Sequence, residues 1–463
     1  MIQKVLTKYW LSLHLVVLFF ATWVSVRYSN TGWAICLWLA FFAVQAFLLL
    51  PSVLRGETLG EARARSVGGA VHDPFLYAGV ALICFTCIQW LNSGCSLVYL
   101  EDAEIWRYSA PPVSWLPYSI VPFPAFTVLS LMVVSVVGGV IFRNGAGKAS
   151  KRFFLDAVSL VSGCIAIYMV IQSLSGVPPY STWGGEAKAC NWGTYFGFWM
   201  LVSLGGHLNL LDEGFGKTLV WSIFALLGNL LGMLQFETPI GIALFTVVAF
   251  VILGYWVFFL RREDGVIQLK LFSCVVMAVA LAVVALTVLF QEHSVNGKIA
   301  MLGDPDYYKN LFLDRQFQAP LAWKVWQEHA WLGVGAGGFV HYGQALIGEM
   351  DWARWDACSG LLSNDWLQFL TEHGVVGVGL FVALIIILLV SLFSRLHVAL
   401  RKQADGVELN PYVMSGALAA ACVLLMSFLF SPLQSGAMLV SLLYVLAVIP
   451  GFIPTDDVNE VRG

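Results

Sequence analysis

The chain has 463 residues, 59% of them hydrophobic and 11% charged, with a mean hydropathy of +0.80. Soluble domains carry about 25% charged residues, so the composition excludes a soluble globular enzyme and points to a helical protein that crosses a membrane many times. The formal net charge of −3 decides nothing about partners, because where the charges lie matters more than their sum.

Lys4 and Lys8 precede an apolar run from Tyr9 to Val26. The run is long and lacks a small-residue cleavage site, so it reads as a retained first span and not a cleaved leader. Apolar runs near the ~20 residues that cross a bilayer recur along the chain. They predict an all-α, polytopic transmembrane helical bundle of about twelve spans. These cover about 9–28, 31–53, 74–93, 123–142, 153–173, 193–211, 218–235, 239–260, 267–290, 374–394, 412–431 and 435–453. Basic residues in the short loops set the orientation. One side collects Lys4, Lys8, Arg55, Arg63, Arg65, Arg143, Lys148, Lys151, Arg152, Lys217, Arg261, Arg262, Arg395, Arg401 and Lys402. The short loops opposite hold Arg27, Arg107 and Lys188, so both termini are expected in the cytoplasm.

Three long segments then lie outside: Asn92 to Pro122, with Glu101, Asp102, Glu104 and several prolines; Ser175 to Trp192; and Gln291 to about His373. The chain accordingly divides into a membrane part over 1–290, an outer loop over 291–373 and a second membrane part over 374–463. The third loop is too rich in Trp and Leu to be disordered, and is expected to fold back onto the outer face.

Ionisable groups at membrane depth are costly and tend to face a cavity. Asp156 lies near the cytoplasmic edge of its span, where it is solvated. Glu237, just before Pro239, reads as an interfacial carboxylate or as a group lining an outward cavity. His14 and His207 read as structural. Cys84 and Cys87 lie mid-span as small hydrophobes, whereas Cys95, Cys190 and Cys358 fall in outer loops, where a disulfide between two of them is open. No Walker, Rossmann or paired-His metal motif occurs, so no cofactor, no metal and no nucleic-acid partner is expected.

The most informative stretch runs from Arg315 to Gly377. Ala319, Ala322, Trp323 and Trp326 recur at helical spacing and predict an amphipathic helix. It stops at Gly333-Val334-Gly335-Ala336-Gly337-Gly338, and a short helix from Phe339 to about Met350 follows. Ser363-Asn364-Asp365-Trp366-Leu367-Gln368-Phe369-Leu370-Thr371-Glu372-His373-Gly374 opens the next span. With Arg315 and the turn Trp331-Leu332-Gly333-Val334-Gly335-Ala336-Gly337-Gly338-Phe339, this segment resembles the O-antigen ligase and polymerase superfamily of bacterial inner-membrane proteins. Asn191-Trp192-Gly193 to Trp199 is more loosely similar.

The resemblance implies a metal-independent, inverting transfer of a glycan from an undecaprenyl-diphosphate carrier to an acceptor hydroxyl, at the outer face of the inner membrane. Membrane lipid, the lipid-linked glycan and glycan-assembly proteins are the implied partners, and the third loop is then periplasmic. A guanidinium suits a diphosphate leaving group through forked hydrogen bonds, which is the role implied for Arg315, with Asn364 beside it in the second motif. The sequence departs from the family twice. The motif histidine, its usual candidate base, aligns with Ser363, and Glu237-Thr238-Pro239-Ile240-Gly241 holds no cation where a second arginine is usual. Three readings follow: a divergent enzyme, different chemistry, or a non-catalytic partner in glycan assembly or export.

Ser363 could orient a hydroxyl but not accept its proton. Asp365 and Glu372, seven apart, would share a helix face. His329, His341 and His373 lie in the outer region, and histidine titrates near neutrality; His329 reads as structural, and His341, just past the glycine turn, is the best substitute of the three. Asp365 or His341 is the expected substitute base. Trp323, Trp326 and Trp331 read as a buried stripe or interfacial anchors, whereas Trp352, Trp355 and Trp366 are open to stacking on sugar rings. The glycine turn could offer its backbone N–H groups to a phosphate, or it is an ordinary glycine turn between two helices.

Overall fold

The computed structural model describes Ser12, Val16 and residues 71–95, 97–100, 105–175, 189–212, 218–256, 301–346, 362–403 and 410–453. The expected spans at 9–28, 31–53 and 267–290 therefore lie outside the described residues, apart from Ser12 and Val16.

Among the described residues the chain is helical, with one short hairpin. Helices α1 (Pro74–Leu91), α2 (Pro122–Gly145), α3 (Lys148–Leu174), α4 (Ala189–Asp212), α5 (Thr218–Phe236) and α6 (Pro239–Tyr255) fall close to the apolar runs that predict them. Helices α7 (Pro305–Glu328) and α8 (Gly338–Leu346) come from the outer insert, followed by α9 (Asp365–Gln403), α10 (Pro411–Leu429) and α11 (Gly436–Val448). Among the described residues, five helices can cross a membrane by length and composition: α1, Pro122–Asn144 of α2, Lys148–Ser173 of α3, Asp365–His397 of α9, and α10. Exposed Tyr77, Val390, Phe393 and Leu425 suit such helices, because apolar side chains facing lipid carry no hydration cost.

Helix starts follow local chemistry. Asp73 caps α1 by accepting from the Phe75 N–H, and Pro74 needs no donor there. Thr238 caps α6 in the same way, again ahead of a proline. The hairpin, β1 (Leu97–Leu100) against β2 (Ile105–Tyr108), pairs antiparallel from Leu97 with Tyr108 to Leu100 with Ile105. It replaces part of the irregular loop expected between Asn92 and Pro122. Four-residue strands are too short for their alternation to stand out from loop sequence.

The chain forms two compact units. The first takes Met1–Ser150, Asn310–Leu389 and Leu425–Ala447. In it α1 packs along α2, and the buried residues of α1, Phe75, Gly79, Leu82, Phe85, Thr86 and Gln89, recur at three and four residues and so share one helix face. Val136 sits directly on Gly79, where a Cβ would overlap its side chain. Asp73 pairs with Arg143 Nε at 3.3 Å and accepts from Asn144 at 3.1 Å.

The second unit takes Lys151–Lys309, Val390–Leu424 and Val448–Gly463. Here α4 is buried along most of its length, with Tyr195, Phe196, Phe198 and Trp199 fully enclosed. Asn229 ties α5 to α3 by accepting from Ser162 at 2.6 Å and donating to the Ser159 carbonyl at 2.9 Å. Asp156 pairs with Arg152 at 3.7 Å and accepts from the Tyr412 hydroxyl. His207 meets Ser222 at 2.9 Å, in keeping with a structural role.

Candidate functional site

The site is built at the start of α9, inside the first unit. Asn364 caps that helix: its Oδ1 accepts from the Leu367 N–H at 3.0 Å, and its Nδ2 donates to the Phe428 carbonyl at 2.9 Å. Asp365, Gln368, Phe369 and Glu372 follow at spacings of three and four, so they share one face. That face, with Trp366, His373 and Phe381, closes a cavity of about 120 Å³ against Val128, Leu131 and Met132 of α2 and Leu433, Gln434 and Leu439 around the start of α11.

One end of the cavity is polar and its orientations are fixed by the network. Gln368 Oε1 accepts from the Leu362 N–H at 3.1 Å and from Gln434 Nε2 at 2.7 Å. Its own amide then donates to Glu372 Oε1 at 3.0 Å. Gln434 Nε2 also donates to the Leu362 carbonyl at 3.0 Å, which commits its amide nitrogen and leaves Oε1 buried without a partner among the described residues. Asp365 is 6% exposed. Its Oδ2 accepts from the Leu433 N–H at 2.8 Å, while its buried Oδ1 makes no hydrogen bond among the described residues. Buried polar atoms are nearly always paired, so two such acceptors around one cavity are informative.

His373 is buried, and its ring packs on Phe369 with centroids 4.3 Å apart. Gln89 Nε2 donates to the carbonyls of Glu372 at 3.2 Å and Leu332 at 3.4 Å, so its Oε1 is the atom 2.9 Å from His373 Nδ1. His373 therefore carries its proton on Nδ1 and offers Nε2 as an acceptor.

The glycine-rich turn is locked to this helix by backbone bonds. Helical geometry breaks at Gly374 (φ 64°, ψ −173°), the boundary expected between loop and span. The break frees the carbonyls of Thr371 and Glu372, which accept from the Val334 N–H at 3.0 Å and the Gly335 N–H at 2.7 Å. In return the N–H groups of Val375 and Val376 donate to Ala330 and Trp331 at 2.9 and 3.1 Å. Gly333 and Gly374 both sit at positive φ, and a Cβ on either would reach within 2.4 Å of the other segment's backbone. The Gly337 and Phe339 N–H groups lie beside the Glu372 carboxylate. These N–H groups are thus directed at the chain's own acceptors, and the turn is a docking element, which corrects the phosphate-cradle expectation.

The structure brings together only part of the residues the sequence singled out. Asp365, Glu372 and Trp366 line the cavity; Trp366 stacks on Phe428 with centroids 5.3 Å apart and donates to Ser427 Oγ at 2.7 Å. Ser363 is not in the lining, and its N–H donates to Gln318 Oε1 at 2.9 Å. His341 is also absent from the lining and meets the Tyr108 ring edge-on. Burial holds its imidazole below the ordinary histidine value. Glu237 is buried in the second unit, where its Oε1 accepts from the Thr238 N–H at 2.8 Å and so helps to start α6. Arg315 falls within α7, but its side chain lies outside what is described, as do Trp352 and Trp355 altogether. Trp323 and Trp331 are exposed, not the buried stripe their spacing predicts, and exposure suits interfacial anchoring. Cys95 is a free thiol, while the Cys190 side chain and Cys358 lie outside the described residues.

His373, ranked below His341 in the sequence, lines the cavity where His341 does not, and Gln89, Gln368 and Gln434 complete the site without having been singled out. A signal existed for two of them: Gln89 is a lone amide in an apolar run, and Gln368 stands four residues before Glu372. Outside the cavity lining, Tyr118 bridges His329 Nδ1 at 3.2 Å and the Tyr342 hydroxyl at 3.3 Å. Burial, then the Tyr342 bond, push its hydroxyl well above the ordinary tyrosine value, so it stays neutral. Among the described residues no group of three His, Cys, Asp or Glu side chains is placed to hold a metal ion. In comparison with known proteins, no family model matches the chain and no curated protein matches its sequence.

Proposed function

We propose that this protein moves a glycan from an undecaprenyl-diphosphate carrier to an acceptor hydroxyl at the outer face of the bacterial inner membrane. In this reading the chain crosses the membrane about twelve times, keeps both termini in the cytoplasm, and presents the 291–373 loop to the periplasm. The observation that carries it is the cavity at the start of α9: two buried carboxylates and a histidine meet in the very segment that resembles the ligases and polymerases. Arg315 serves the diphosphate, and its guanidinium suits that charge.

The base falls to Asp365 in preference to His341, because Asp365 lines the cavity with an uncommitted oxygen and His341 does not. A base must lie within hydrogen-bond reach of the proton it takes. The test uses purified protein, an undecaprenyl-diphosphate-linked glycan and a mixed acceptor pool. Wild type releases undecaprenyl diphosphate, and Arg315→Ala and Asp365→Asn each lower the rate by at least about a hundredfold, the usual worth of a positioned base. Carrier that stays bound but uncleaved across native sugars and acceptors would favour a non-catalytic partner in glycan assembly.

A further inference from the structure

We propose that the cavity at the start of α9 is the seat of the hydroxyl-bearing acceptor, held as a neutral sugar ring, and that it rejects the phosphate-bearing half of the donor. This rests on the transfer reading above and assigns one substrate to one place. Three atoms on the cavity's lining residues have no commitment to the protein's own network: Asp365 Oδ1, Gln434 Oε1 and His373 Nε2. Of the nearby amide nitrogens, Gln434 Nε2 has both N–H groups spent, on Leu362 and Gln368, and Gln368 Nε2 has one of its two spent on Glu372, so uncommitted acceptors outnumber the remaining side-chain amide N–H three to one.

The ligand must therefore bring donors. A hydroxyl does so at Gln434 and His373, and it can donate to or accept from Asp365 in either protonation state. An ionised phosphate brings only acceptors and negative charge, and would leave all three atoms unpaired beside two carboxylates. Unpaired buried groups are costly enough to decide between such ligands. The remaining wall is apolar and aromatic: Val128, Leu131, Met132, Phe369, Trp366 and Phe381. A pyranose is amphipathic in the same sense, with C–H faces for that wall and hydroxyls on its edge. At about 120 Å³, the space is roughly ten times the minimum for a single water.

The test is saturation-transfer NMR on the full chain in lipid nanodiscs. The probes are the methyl glycosides of glucose, galactose, mannose and N-acetylglucosamine, with inorganic pyrophosphate as competitor. At least one glycoside should receive saturation, and pyrophosphate should not displace it. Asp365→Asn, which exchanges an acceptor for a donor, and Leu131→Trp, which fills the cavity from α2, should each weaken binding about tenfold, the scale of one lost hydrogen bond to a charged group. Gln434→Leu stands in if either variant fails to unfold cooperatively. The proposal falls if no glycoside is bound and the cavity holds water only. It falls equally if pyrophosphate competes, if sodium is bound in place of the sugar, or if binding is unchanged in folded variants. Carrier release without glycoside binding removes this subsite alone, whereas glycoside binding without carrier release removes the transfer reading alone.

Discussion

At the scale of single residues, the site depends on amides as much as on acids. Gln89 joins three groups from two segments, the Leu332 carbonyl of the turn and the Glu372 carbonyl and His373 ring of α9. Replacing it with leucine keeps the volume but strands those groups in a buried setting. Gln89→Leu should therefore lower stability by about 1–3 kcal/mol, read from thermal unfolding in detergent, and wild-type stability would show that the staple is dispensable. The sequence pointed to Asp365 and Glu372 correctly as neighbours because seven residues of helix is a short-range relation. It could not point to Gln434, since Ser431-Pro432-Leu433-Gln434-Ser435 reads as an ordinary turn and its partners are 66 residues away or more. Nor could it demote His341, whose distance from the cavity depends on how the outer insert folds.

At the scale of elements, the apolar runs located the described helices because a run long enough to span is its own signal. Helix α7 begins about ten residues before Arg315 and continues through Pro320, which the amphipathic pattern alone did not reveal. The turn after it is the reverse case: its glycines were conspicuous, but their purpose was visible only with Gly374 in place. A side chain at Gly374 meets both a positive φ and the Trp331 backbone 2.4 Å away. Gly374→Ala should thus cost at least about 2 kcal/mol and loosen the turn, measurable as faster amide exchange at Val334 and Gly335. Unchanged exchange there would mean that the contact is not tight in solution.

For the whole molecule, the proposed orientation makes Cys95 an outside residue. In a variant keeping only that cysteine, a membrane-impermeant maleimide added to spheroplasts should label it, slowly, since burial raises its thiol above the ordinary value and thins the reactive thiolate. Labelling that needs permeabilised cells would reverse the topology. The locked break at Gly374 has a consequence for how such a chain can change. Main-chain bonds between the turn and the Gly374 break help set the angle at which residues 365–373 face the cavity. The frame can therefore outlast the side chains it displays: residues on the cavity face can be exchanged without the scaffold being rebuilt.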